Sequence, residues 1–171
     1  MLTQITTFGA AAVVAVGLAL SAPAPAHAQG AMNSVGKNGV VSAKSAYSME
    51  ETVARLKGDI AAKGIVFFSE IDQAKLADGA GIKLRPSTLL IFGNPPLGTQ
   101  FITAKPEAGL DWPVRLLVHQ DDKGQVWTSY TDFGWIARRH AITSRGPQFK
   151  MASEVIASIT SSVAAKTMTA R

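Results

Sequence analysis

Cysteine is absent from the 171 residues. That excludes a disulfide framework, a zinc–thiolate centre, an iron–sulfur cluster and a cysteine nucleophile. Histidine is scarce, with three in the whole chain. No His-x-x-x-His pair, EF-hand pattern or Walker loop occurs, so neither a dedicated metal site nor nucleotide hydrolysis is expected. No apolar run reaches the ~20 residues of a membrane span. Neither sign of charge dominates: 17 Lys and Arg face 12 Asp and Glu, a net charge of +5. What is plentiful is apolar residue, at 47%, enough to bury a core in one domain.

The first segment reads as an export signal. Phe8 to Leu20 is a nearly unbroken run of small and apolar residues. Ala26-His27-Ala28 then supplies the small-x-small pattern of a signal-peptidase site. The stretch before Phe8 has no Lys or Arg, so its positive charge is the α-amino group alone. We read residues 1–28 as a signal peptide, 29–38 as a small, polar leader, 39–166 as the folded domain and 167–171 as a tail. The expected location is a bacterial periplasm or outside the cell, with no membrane contact after cleavage. Nucleic acid is scarce there and is not an expected partner.

Along the domain, Val40 to Tyr47 alternates roughly as a strand. Ser48 and Glu51 form a capping box. Met49, Val53, Leu56 and Ile60 make one apolar stripe on a helix that ends near Lys63. Ile65 to Phe68 and Ser87 to Phe92 are apolar on both faces and read as interior strands. Between them Asp72 caps a short helix. A short helix follows Pro95-Pro96, and Val114 to Gln120 and Gln125 to Tyr130 form a hairpin around Asp121-Asp122-Lys123-Gly124. A short helical stretch comes near Gly134 to His140. A last helix carries Phe149, Ala152, Ile156, Ile159 and Val163. The order strand, helix, four strands, helix gives an α+β two-layer sandwich, a mostly antiparallel sheet with two long helices on one face. The second face is partly apolar, through Phe67 or Phe68, one side of the third strand and Leu117. It invites a homodimer unless the short helices cover it.

Several motifs now become recognisable together. Leu84-Arg85-Pro86-Ser87, Ile91-Phe92-Gly93-Asn94-Pro95 and Gly98-Thr99 lead into Asp111-Trp112-Pro113, Gly124-Gln125-Val126-Trp127, Ser129-Tyr130 and Ala137-Arg138-Arg139-His140. Over about residues 40–165 the chain resembles the DUF302 family, a domain of unknown function. The resemblance implies the same two-layer fold, sometimes grouped with TATA-binding-protein-like folds, and carries no DNA binding with it. Many members have His after the Ile-Asp pair, where this chain has Gln73. Another branch has Cys where Gly93 and Val114 stand.

Each candidate site residue has two readings. His140, beside Arg138 and Arg139, is the one candidate for acid–base catalysis, or a ring that ties a short helix to the backbone. Asn94 sits where a strand end meets a helix N-terminus, and either catches a polar ligand or caps that helix. Trp127, Tyr130, Phe133 and Trp135 with Arg115 and Arg138 either line a pocket for a planar ligand or pack the core. The loop aspartates Asp111, Asp121, Asp122 and Asp132 are read as starting turns and caps. The ligand-binding candidates are therefore Asn94, Arg115, Tyr130, Arg138 and His140, for a small anionic or planar ligand, with no cofactor. No catalytic set is assembled in the sequence. The expectation is a non-catalytic binding module acting as a homodimer. The alternatives are an enzyme using His140 on an anionic substrate and a periplasmic metal or stress-response protein.

Overall fold

The computed structural model describes residues 35–165. The export segment, the leader up to residue 34 and the tail lie outside the described residues. Eleven elements follow one another: β1 Val40–Lys44, α1 Met49–Ala62, β2 Val66–Asp72, α2 Gln73–Gly79, β3 Ser87–Gly93, α3 Pro95–Ala104, a 3₁₀ turn Pro106–Leu110, β4 Val114–Gln120, β5 Val126–Thr131, α4 Phe133–Arg139 and α5 Gly146–Ser161. The five strands form one sheet in the order β1-β5-β4-β3-β2, and every neighbouring pair is antiparallel.

Local chemistry explains the helix starts. Ser48 Oγ accepts from the Glu51 amide, Asp72 from Lys75 and Asp132 from Trp135, each satisfying a donor the first turn leaves free. The capping box of α1 is only half made, because the Glu51 carboxylate turns to Arg55 at 2.7 Å instead of reaching back. Past the end of α1, Gly64 takes a left-handed φ of +65°, a conformation that costs glycine little.

The core lies on one face of the sheet. Leu90 and Phe92 of β3, with Leu116 and Val118 of β4, meet Leu56 and Ile60 of α1 and Ile156 and Ile159 of α5. The short helices join the same layer: Phe101 of α3 stacks on Phe149 of α5 at 4.2 Å and approaches Phe133 of α4 at 6.1 Å. They therefore do not cover the other face. Alternation along the strands sends Arg115, Leu117 and His119 there, with Leu89, Ile91 and Ile71. The aliphatic residues among them are half-buried, as on an open sheet surface. α2 meets the sheet only at one corner, where Ser87 Oγ donates to Gln73 Oε1.

One expectation is corrected. The apolar Ile65 to Phe68 segment predicts an interior strand, but β2 is an edge strand and most of it is exposed. Its apolar residues have local uses instead. Phe67 lies beneath Lys57 of α1, and Phe68 packs edge-on against Trp112.

Candidate functional site

The site is built around a carboxylate. Asp111 ends the 3₁₀ turn just before β4, and its side chain is 3% exposed. His140, the C-cap of α4, brings Nε2 to 2.6 Å from Asp111 Oδ2, with its own side chain 7% exposed. Arg139 Nη1 donates to the other oxygen at 3.2 Å, and Arg115 Nη2 reaches it at 3.4 Å while donating to the Leu110 carbonyl at 2.8 Å. One buried carboxylate thus meets three basic side chains. Burial would make that carboxylate costly alone, and the three partners offset the cost.

The two guanidiniums differ from the imidazole. The Arg115 and Arg139 side chains are 51% and 45% exposed, so each keeps donors facing water beyond those Asp111 uses. Arg139 also lies over the Trp135 ring at 5.3 Å, which limits its swing. The geometry offers fixed, surplus positive charge at the surface, backed by a buried anchor.

Of the residues singled out from sequence, Arg115 and His140 converge on this carboxylate. Arg138 does not: its side chain is 70% exposed and turns to Asp132 at 3.9 Å. Asn94 accepts from the Leu97 amide and so serves as the cap of α3. Tyr130 is paired with Val41 on the helix-covered side, where burial, then the charge of Asp132, pushes its phenol pKa up. The four clustered aromatics are divided between layers, since Trp127 lies on the open face opposite His119, and Phe133 lies in the core. They form no common pocket.

Asp111 departs from the turn-and-cap role expected of the loop aspartates. Asp121 fits that reading, since Oδ1 accepts from the Lys123 and Gln125 amides while Oδ2 takes the Trp127 indole N–H. Asp111 does not, because its partners His140 and Arg139 are 29 and 28 residues away. The available signal was that Asp111-Trp112-Pro113 and Arg138-Arg139-His140 both belong to the motif set of the family resemblance.

Three other features lie nearby or apart. A small apolar cavity of about 40 Å³ is lined by Trp112, Asn94, Gly98, Leu97, Val114 and Val155, among others. Across the molecule a cleft of about 650 Å³ holds Glu50, Glu70 and Asp72, of which Glu70 pairs with Lys57 and Asp72 caps α2. On the open face, His119 Nε2 lies 3.2 Å from Ser129 Oγ, which is 2.8 Å from Ser42 Oγ. Burial lowers the His119 pKa, against a smaller opposing pull from Asp121. No group of three or more His, Asp or Glu suited to a metal occurs among the described residues.

The sequence profile of DUF302, a domain of unknown function, matches residues 41–165. The chain belongs to the DUF302 family. A crystal structure of an uncharacterized conserved DUF302 protein from Bacillus stearothermophilus superposes with a TM-score of 0.67 at 14% identity, covering 73% of this chain and 98% of that one. It shares the fold. The chain is also 37% identical over 111 residues to proteins named fluoride-specific ion channel FluC 1 from Brucella suis and Brucella abortus. The match takes in 65% of this chain but only 44% and 41% of those relatives. The chain therefore spans less than half the length of the curated relatives it matches.

Proposed function

We propose that this DUF302 chain is an exported, non-catalytic module that binds a small anion at Arg115 and Arg139. The observation that carries the reading is the charge imbalance at Asp111. A single carboxylate faces two permanently charged guanidiniums, both half exposed. A fork of N–H donors held in place suits an oxyanion or halide. The buried His140–Asp111 pair holds the end of α4 against the start of β4, which sets the position of Arg139 relative to Arg115. The export segment read from residues 1–28 supports a location outside the cytoplasm, and the mass of the processed protein, starting at Gln29, tests it.

The FluC relatives bear on the choice of ligand. Fluoride is a small anion, so it belongs among the compounds tested. Their channel activity is not carried over. Less than half of each relative matches, and no helix among the described residues is long and apolar enough to cross a membrane.

The test is a titration of the purified protein with fluoride, phosphate and acetate, followed by NMR of the arginine side-chain N–H groups. At least one anion is expected to shift the Arg115 and Arg139 signals, and the Arg115→Ala, Arg139→Ala double variant is expected to bind it at least tenfold more weakly. Unchanged affinity in the double variant would remove the reading. The His140–Asp111 pair favours one second reading, in which His140 acts as acid–base on a bound anionic substrate. Turnover of an anionic ester that His140→Asn abolishes, with the fold intact, would replace the first reading with this one.

A further inference from the structure

Register joins Arg115 to the aliphatic half of the open face. Arg115 of β4 stands directly opposite Ile91 of β3, and Leu117 stands opposite Leu89, which in turn faces Ile71 of β2. Directly opposed residues share a face and touch, so these four aliphatic side chains form one continuous patch that begins beside the Arg115 guanidinium. They are half-buried, with the helix layer on the far side of the sheet. β2, β3 and β4 contribute no carboxylate to this face. Val66, Ser69, Ser87 and His119 are its other paired side chains there. The Asp111 carboxylate next to Arg115 is buried.

An apolar patch with fixed positive charge at one end matches a ligand with an apolar body and an anionic end. We infer that the ligand is an amphipathic carboxylate, its carboxylate held by Arg115 and Arg139 and its aliphatic chain laid over Ile91, Leu117, Leu89 and Ile71. The inference rests on the anion reading above and names the class of anion. From Arg115 to Ile71 is two strand spacings across and two residues along, roughly 12 Å at ~4.8 Å per strand and ~3.4 Å per residue. A medium-length acyl chain has that reach. A second copy of the chain, the occupant expected from sequence, fits less well. Facing the same surface, it would bring a second Arg115, which shares its one carboxylate with Arg139, to the patch.

The experiment compares decanoate with acetate on the purified protein, by NMR titration with light scattering alongside. Decanoate is expected to bind at least tenfold more tightly than acetate. Leu117→Ser is expected to bring decanoate close to the level of acetate and, carrying no charge, to leave acetate unchanged. Ile71→Ser on the edge strand serves as a milder second variant, with an intermediate loss. Equal affinity for the two acids overturns the inference and leaves the anion reading standing. Decanoate affinity that ignores the Arg115→Ala, Arg139→Ala double variant overturns both. A stable two-protomer mass that decanoate neither dissociates nor binds assigns the face to a second copy and overturns the inference alone.

Discussion

The two histidines of the described domain, His119 and His140, make a controlled comparison. Each presents Nε2 to an oxygen. For His140 that oxygen belongs to a buried carboxylate at 2.6 Å, in a cluster with two arginines. For His119 it is the hydroxyl of Ser129 at 3.2 Å, on the face that α2 touches at one corner. A hydroxyl can donate or accept as its proton rotates, whereas an ionised carboxylate can only accept. The first arrangement therefore fixes the end of a helix through a buried carboxylate, and the second is an adjustable polar chain running from His119 through Ser129 to Ser42. The same residue type anchors a helix end in one place and joins a chain of hydroxyls in the other, and burial of the partner decides which.

The largest expected effect tests that difference directly. Asp111→Ala removes the group that three basic side chains share. Removing one member of a buried charge pair costs about 3–5 kcal/mol. Arg115 and Arg139 are half exposed and can turn to water, so a loss of about 3 kcal/mol, the low end, is expected in urea unfolding. The comparison breaks if Asp111→Ala proves no more damaging than Ser129→Ala.

Next comes Gly98→Ala, which probes packing at the same end of the sheet without touching charge. A methyl group at Gly98 would lie 1.8 Å from Trp112 Nε1. The indole adjoins Asp111 in the chain and packs against Phe68, so it cannot simply swing away. Overpacking of this kind costs about 1–3 kcal/mol, with a change in tryptophan fluorescence. Full stability in Gly98→Ala would mean that the Trp112 ring is not fixed there, and that the anchor depends on charge alone.

How much of this was legible in the sequence follows the range of the forces involved. Caps and turns act over three or four residues, and Ser48, Asp72 and the Asp121 turn read correctly. The apolar stripe of α5 and the β4–β5 hairpin were equally local. Strand order was not. Ile65 to Phe68 looks interior because it is apolar, yet it forms the start of an edge strand whose phenylalanines find partners in α1 and Trp112. At the site, Arg115 and His140 were recognisable by chemical type, while Asp111 looked like any loop aspartate. Its burial comes from α4, far along the chain, and no local pattern encodes that.

Acid separates the two histidines from the other side. Burial lowers the His119 pKa in the folded protein, whereas the unfolded ring titrates near 6.5. As pH falls from about 6.5, the unfolded state takes up protons before the folded one, so stability declines. Wild type is expected to lose more stability between pH 7 and pH 5 than His119→Gln, measured by urea unfolding at both values. An equal loss in the two proteins would mean that His119 is as free to protonate in the fold as in water.

The smallest expected effect is that of Ser129→Ala. Its hydroxyl links two partners, Ser42 and His119, and a typical hydrogen bond is worth about 0.5–1.5 kcal/mol net. The cost would approach twice that if both partners were left dry. They are not, since Ser42 and His119 are each half-buried on the open face and can bond water in place of the lost hydroxyl. A loss of about 1 kcal/mol or less is therefore expected. Ser42→Ala should cost no more, and the double variant should cost less than the two single changes added, because both remove the same Ser42–Ser129 bond. Strict additivity in that cycle would separate the two serines, and the polar chain would end at His119 and Ser129.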